Sequence, residues 1–268
     1  MAAQPLGQGL LDGKVMVISG VGAGLGRRIA ENAGAAGAAV MLGARSVDYV
    51  AELASELKER GVTAAYRRCD VTDGSQCEEL VAGAVEELGG VDGVVCNAAA
   101  TGPFGVTLED GDLDEWRQAF DVNLFGSLRL VQAAIPALKR RGGGSVVFIG
   151  SQIVRRVFAG RGPYASSKAA LLTAAQVVAR ELGPYDIRVN TVVPGRMWGP
   201  SLQGSIGRLA ASRGLTVEEQ HQRMLDDVAL PRMAPDEECA RAVIFLASDL
   251  AAGMTGQSVD VNAGETFH

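Results

Sequence analysis

Lys14-Val15-Met16-Val17-Ile18-Ser19 runs without a break into Gly20-Val21-Gly22-Ala23-Gly24-Leu25-Gly26, which opens a helix-forming stretch from Leu25 to Ala36. A short continuous apolar run reads as a strand buried on both faces. Glycine accepts positive φ and lets another backbone come close, so glycines at this junction make a turn that can pass tightly over a ligand. The first turn of the helix offers unpaired N–H groups and a partial positive charge. Together these suit the pyrophosphate of a dinucleotide. A tight turn with no ligand is the structural alternative, and the position just after a buried strand favours the nucleotide.

The same alternation of apolar runs and helical stretches continues along the chain. Strands are expected at Ala38 to Gly43, Ala64 to Cys69, Gly93 to Cys96, Ser145 to Gly150, Ile187 to Val193 and Ser258 to Val261. Helices are expected at Val47 to Arg60, Ser75 to Leu88, Asp114 to Lys139, Tyr164 to Leu182 and from Pro235 through Ala247. Such alternation predicts an α/β fold of the doubly wound Rossmann type, a mostly parallel seven-stranded sheet with helices on both faces. Arg196 to Leu230 breaks the pattern, with one helix expected near Val217 to Asp227. No repeat or linker divides the chain, so a single domain over residues 1–268 is expected.

Composition narrows the function. Lys and Arg number 25 against 31 Asp and Glu, a net charge of −6, which argues against nucleic-acid or anionic-membrane partners. Glycine is the unusual count: 35 of 268 residues, about 13% against an average of about 7%. Without a G-X-Y period or many prolines this is neither collagen nor low complexity, so the glycines serve separate tight places. Cys69, Cys77, Cys96 and Cys239 show no C-x-x-C spacing, and His221 and His268 are the only histidines. No metal site or disulfide framework is therefore expected. Residues 1–14 lack a leader pattern and no run reaches the roughly 18 apolar residues of a membrane span. The expectation is a soluble cytoplasmic protein with reduced thiols.

The spacing Gly20-x-x-x-Gly24-x-Gly26 differs from the commoner G-x-G-x-x-G and resembles the fingerprint of the short-chain dehydrogenase/reductase family, in its branch of about this length. Further segments follow in the family's order. Asp70-Val71 follows the third strand, where the resemblance implies an aspartate on the adenine; a turn cap is the ordinary alternative. Asn97-Ala98-Ala99 ends the fourth strand and is similar to the family's N-A-G turn, with alanine in place of glycine. Pro194-Gly195 matches the turn on the nicotinamide side, although Trp198 stands where the family has threonine. The likeness extends from about Leu11 to Gly264.

At the end of the second strand an acidic residue would bind a ribose 2′-OH, whereas arginine would pair with a 2′-phosphate. The expected acidic position is Ala44, and Arg45-Ser46 follow it. NADP(H) is therefore the preferred cofactor, held by Arg45 and Ser46, with NAD(H) kept open by nearby Asp48.

Ser151 lies just past the fifth strand, Tyr164 opens a helix thirteen residues later, and Lys168 follows at i+4 on the same face. A free tyrosine, with a pKa of about 10, is a poor base at neutral pH. A nearby ammonium and an oxidised nicotinamide would stabilise its phenolate. The resemblance implies that Tyr164 exchanges a proton with the substrate oxygen, Ser151 orients that oxygen, and Lys168 holds the nicotinamide ribose and lowers the Tyr164 pKa. It also implies that Asn123, within the long helix, anchors a water in the proton path. Asn190 in the sixth strand is expected to be structural.

The expected activity is transfer of a hydride between a nicotinamide cofactor and a carbonyl or secondary alcohol. Arg196 to Leu230 falls where the family has its substrate lid. Met197, Trp198 and Leu202, with Phe104, Ile153, Val154 and Phe158, suggest an apolar pocket and a hydrophobic ketone or alcohol. Arg155, Arg156 and Arg161 would instead favour an acidic substrate, unless they are solvated surface cations. The resemblance further implies a homodimer or homotetramer, with Asp114 to Lys139 and the Tyr164 helix at one interface. Two rival functions are a redox sensor that binds the cofactor without turnover, and an epimerase or dehydratase. The combined presence of Asn123, Ser151, Tyr164 and Lys168 argues against the first. The glycine spacing and chain length argue against the second.

Overall fold

Val15–Ser19 (β1) is buried at all five positions, and its side chains divide by parity: Met16 and Ile18 enter one hydrophobic core, Val15 and Val17 the other. That two-residue period is what a strand clad on both faces requires. The computed structural model describes residues 9–267. The other strands are β2 (Ala39–Ala44), β3 (Ala64–Arg68), β4 (Gly93–Cys96), β5 (Gly144–Ile149), β6 (Ile187–Pro194) and β7 (Ser258–Val261). They form one sheet in the order β3-β2-β1-β4-β5-β6-β7. Every pairing is parallel, so the expectation of a mostly parallel sheet is sharpened to a wholly parallel one.

Parallel neighbours need crossover helices. The chain supplies α1 (Leu25–Ala35), α2 (Val47–Glu59), α3 (Gly74–Leu88), α4 (Leu113–Phe120), α5 (Ser127–Arg141), α6 (Gly162–Leu182), α7 (Pro200–Ala211), α8 (Val217–Leu225) and α9 (Asp236–Ala247). Ile29 of α1, Leu53 of α2 and Val243 of α9 cover one face; Leu80 of α3, Leu130 of α5 and Leu171 of α6 cover the other. The chain leaves β1 outward through β2 and β3, then returns to β4 on the opposite side. The connections that follow β1 and β4 therefore run in opposite directions, and a crevice opens above the carboxyl ends of these paired strands.

Two expectations need correction. The single helix from Asp114 to Lys139 is interrupted by a π-helical segment, Asp121–Gly126, between α4 and α5. Gly126 packs there against Val71, and Asn123 is drawn inward to bond the backbone of Ala100. The extra residue in the turn accommodates both, as π-bulges at functional sites commonly do. In the supposedly patternless stretch 196–230, α7 was not foreseen. Its Leu202, Ile206 and Leu209 recur at helical spacing and pack with Met224 and Met233 into a small core of their own. Gly204 and Gly207 between them hide that spacing. The helix expected near Val217 is present as α8, closed by a capping box between Thr216 and Glu219.

Phe148 on β5 is fully buried in the core between the sheet and α3, α5 and α6. Phe148→Ala should lower unfolding free energy by about 3–5 kcal/mol, measured by urea titration, since the cavity cannot close around a strand held on both sides. A loss below about 1 kcal/mol would contradict this packing.

Candidate active site

The glycine turn is shaped by backbone against backbone. Gly20 has φ +71°, and a Cβ there would lie 2.3 Å from the Ala98 nitrogen. Only glycine fits. Gly26, the second residue of α1, packs on the Gly20 carbonyl, where a Cβ would come within 2.5 Å. Gly24 is the N-cap of α1 and Leu25 its first residue, and no side chain caps this helix; the Arg27 N–H donates to the Gly22 carbonyl at 3.0 Å, which leaves those of Leu25 and Gly26 to an anion. Asn97 donates from Nδ2 to the Gly20 carbonyl at 2.7 Å, tying the end of β4 to the turn.

Over this turn lies a cleft of about 670 Å³, lined by Gly20, Val21, Gly22, Ala44, Arg45, Ser46, Asp70, Val71, Asn97, Ala98 and residues through Thr101, with Gln118 and Val122 at one side. Residues expected from four separate strand ends thus converge on one space. The size lies within the usual range for small-molecule sites. Val21, Gly22, Gln118 and Val122 were not singled out in the sequence. The glycine spacing could have drawn attention to Val21 and Gly22, whereas nothing local marks Gln118 or Val122. Asp70 does two things at once: it lines the cleft and accepts from the Thr72 backbone N–H at 3.0 Å and hydroxyl at 2.8 Å. The Thr72 backbone bond, and more weakly Arg45 and Arg68, hold its carboxyl below the usual carboxylate range. Ser46 is the N-cap of α2 but makes no capping bond, and Asp48 sits in the first turn of that helix.

The second cluster forms where β5 ends and α6 begins. The Ser151 hydroxyl lies close enough to the Tyr164 phenol to counter part of the effect of burial on it. The same hydroxyl accepts from the Ile153 N–H at 3.3 Å. Lys168 is fully buried, and its Nζ donates to the Ile149 carbonyl at 2.7 Å, 5.9 Å from the Tyr164 ring centroid. Burial pulls the ammonium pKa down to about 8. Asn123 is also fully buried, with both ends of its amide engaged: Oδ1 accepts from Ala100 N at 2.8 Å, and Nδ2 donates to Ala100 O and Ser167 Oγ, each at 2.9 Å. Ser167 in turn donates to the Tyr164 carbonyl at 3.0 Å. Asn123 therefore couples the β4 turn to α6 through its side chain.

Burial pushes the Tyr164 phenol above its ordinary value, opposed by the Ser151 hydroxyl and then by the positive charge of Arg161. Arg161, set aside between an anion-binding and a surface role, lies with its guanidinium carbon 5.0 Å from the Tyr164 ring centroid and 3.5 Å from that of Phe104.

Gly195 donates from its N–H to the Val261 carbonyl at 2.9 Å, which docks the Pro194-Gly195 turn on the end of β7. Beside it Glu265 accepts from Gln152 Nε2 at 2.6 Å and from Arg196 Nε at 2.7 Å, and Arg196 reaches Asp227 at 2.6 Å. These bonds connect the turn, the end of β5 and the α7–α8 segment. Trp198 is not directed to pocket duty by its contacts: it stacks on His221, with centroids 4.3 Å apart, and joins the core of α7 and α8 together with Leu202. Met197 packs against the core beneath α1 and α9. A separate cavity of about 280 Å³ adjoins the start of α6, lined by Pro103, Val106, Leu108, Trp116, Phe158 and Pro163 among others. Among the described residues no helix is long and apolar enough to cross a membrane.

The chain is similar in sequence and fold to known proteins. A family model described as enoyl-(acyl carrier protein) reductase matches residues 20–266. The 7α-hydroxysteroid dehydrogenase of Escherichia coli (strain K12) is 32% identical over 254 residues, 95% of this chain and 94% of its own. Dehydrogenase/reductase SDR family member 4 of Bos taurus is 34% identical over 263 residues, 96% of this chain and 89% of its own. Among solved structures, a 7α-hydroxysteroid dehydrogenase complexed with NADH and 7-oxo glycochenodeoxycholic acid superposes with a TM-score of 0.87 at 32% identity, covering 96% of each chain. The L-sorbose reductase of Gluconobacter frateurii, complexed with NADPH and L-sorbose, gives 0.89 at 30% identity over 95% of this chain and 97% of its own. With the sheet order, the glycine turn and the Ser151–Tyr164–Lys168 cluster in place, the chain belongs to the short-chain dehydrogenase/reductase family and is an NAD(P)-dependent oxidoreductase that exchanges a hydride with a carbonyl or alcohol.

Proposed function

We propose that this enzyme interconverts a mostly apolar ketone and its secondary alcohol, with NADP(H) as preferred cofactor and Tyr164 as the general acid and base. The observation that carries the reading is a half-buried Tyr164 next to Ser151, with the ammonium of the buried Lys168 one helical turn away and 5.9 Å from the Tyr164 ring centroid. Gly20, Gly24, Leu25 and Gly26 would hold the pyrophosphate against open backbone N–H groups, Asp70 and Val71 the adenine, and Asn97, Ala98, Pro194 and Gly195 the nicotinamide half. When bound, the nicotinamide supplies or accepts the hydride.

The protein's own part is positioning and proton transfer. Ser151 donates to the substrate oxygen and fixes it beside the Tyr164 hydroxyl. Tyr164 gives up its proton to that oxygen in reduction and takes it back in oxidation. Lys168 places a positive charge one turn along α6 and orients the ribose hydroxyls. Asn123 clamps Ala100 to Ser167 and keeps α6 in register with the cleft. For the cofactor, the cleft carries Arg45 and Ser46 where a 2′-phosphate would lie, while the strand end itself is the uncharged Ala44. The apolar cavity beside α6 favours a steroid-like or aryl ketone over a sugar. Residues 196–230 would close over it as a lid within one domain of 1–268. Half-exposed Phe125 and Val177, near and on the helices expected at a subunit interface, support a homodimer or homotetramer. We place the protein in the cytoplasm.

Tyr164→Phe should keep cofactor affinity, followed by calorimetry, while kcat falls about 10²–10⁴-fold, the range for losing a general acid. Full turnover in that variant would overturn the mechanism. Because burial raises the phenol pKa, reduction needs the form already present at neutral pH, and its rate should stay level there and fall only on the alkaline side. Oxidation needs phenolate and should rise with pH. A reduction rate already falling through neutrality contradicts this order. Arg45→Ala should weaken kcat/KM for NADPH about 10–100-fold, the cost of lost charged hydrogen bonds, with little change for NADH. Equal losses for both cofactors would remove Arg45 from the phosphate role.

A further inference from the structure

Three arginines precede the helix of Tyr164, and two already have anionic partners. Arg155 donates to Ser258 Oγ at 2.6 Å and pairs with Asp260, and Arg156 lies 3.8 Å from Asp227. Arg161 differs. Among the described residues no carboxylate pairs with its guanidinium, and its Nη1 is buried with no hydrogen-bond partner. Its contacts are the faces of Phe104 and Tyr164, at 3.5 and 5.0 Å. Cation–π attraction of this kind offsets part of a desolvation cost but satisfies no N–H donor. Burial accordingly pushes the Arg161 pKa down, opposed by the Tyr164 phenol.

The placement is built rather than incidental. The Gly105 N–H donates to the Gly160 carbonyl at 3.1 Å, so the loop bearing Phe104 is clasped to the residue before Arg161. Gly160, with φ +71°, leaves no room for a side chain against Gly105. Arg161 stands in the chain between Gly160 and Gly162, both of which line the cavity beside α6 together with Pro163 and, on its far side, Asp112 and Glu115, while its guanidinium faces the Phe104 and Tyr164 rings. A planar fork with an unused donor, stacked on rings and lacking an anion, suits a carboxylate.

We propose that Arg161 is a specificity residue that receives a carboxylate on the substrate, so that the preferred substrates are oxo- or hydroxy-carboxylic acids with an apolar body. The proposal rests on the oxidoreductase reading above and adds the substrate's charge. One unpaired cation balances a monoanion, which favours carboxylate over a dianionic phosphate.

The test compares 3- and 4-acetylbenzoate with their methyl esters, as substrates of the wild type, Arg161→Gln and Arg161→Lys. The expected result is a wild-type kcat/KM for an acid about 10–100-fold above its ester, carried by KM, with that ratio collapsing in Arg161→Gln and partly restored in Arg161→Lys. Calorimetry of benzoate against benzamide on the cofactor-loaded protein gives a readout independent of turnover, and tighter benzoate binding lost in Arg161→Gln supports the assignment. No wild-type preference for the acid in either measurement overturns it, as does a preference that survives in Arg161→Gln. An equal fall in kcat for acid and ester, with a shifted pH profile, would mean that Arg161 only tunes Tyr164 and would also overturn it. Turnover of neutral ketones without charge discrimination leaves the oxidoreductase reading intact while removing this one. Absence of turnover on every ketone with either cofactor strikes the broader reading, and benzoate binding still decides the role of Arg161.

Discussion

The end of β1 and the end of β4 meet at a point where there is no space for a side chain. A Cβ on Gly20 would lie 2.3 Å from Ala98 N, and Asn97 closes the junction by donating to the Gly20 carbonyl at 2.7 Å. From this contact a chain of hydrogen bonds runs to the candidate acid and base. Residues 97–100 leave the junction, Asn123 grips both backbone groups of Ala100, its amide reaches Ser167, and Ser167 bonds the Tyr164 carbonyl. The turn that shapes the cofactor cleft and the helix that presents Tyr164 are therefore one mechanical unit. The π-helical turn at Asp121–Gly126 belongs to it, because a regular helix would carry its N–H and C=O groups in register but would not bring Asn123 to Ala100 in this way.

The electrostatics of the site follow from burial more than from pairing. Lys168 and Tyr164 are both drawn toward their neutral forms, the ammonium downward to about 8 and the phenol upward. In a low-dielectric pocket any charge brought close is felt strongly, so a cationic nicotinamide or an anionic substrate would move both groups far more than it would in water. Arg161 lends positive charge to the phenol from the residue before α6, and the Ser151 hydroxyl acts on it from just past β5. The Tyr164 phenol, the candidate proton-transfer group, thus lies near the Ser151 hydroxyl and the Arg161 cation, while the long side chain of Lys168 keeps its bond to Ile149.

What could be read from residue order alone was whatever depends on local chemistry. Buried strands announce themselves as short apolar runs, the glycine turn as positive φ and close approach, and the Tyr164–Lys168 pair as two side chains one helical turn apart. The boundaries of most elements were legible to within a few residues for the same reason. The α7 helix was not, because Gly204 and Gly207 interrupt its apolar spacing and its stability comes from packing on Met224 and Met233, residues distant in the chain.

The sequence by itself therefore determined the fold class, a mostly parallel sheet and the candidate reacting cluster, since each rests on backbone permission or on neighbours within one turn of helix. Only the tertiary structure decided how those groups are charged and to what they are tied. Burial sets the direction in which the Tyr164 and Lys168 pKa values move, long-range bonds make Asn123 a clamp between β4 and α6, and Arg161 lies between two rings beside the phenol with no carboxylate partner among the described residues. Desolvation and distant partners are properties of three-dimensional neighbourhood, and no local spacing encodes them.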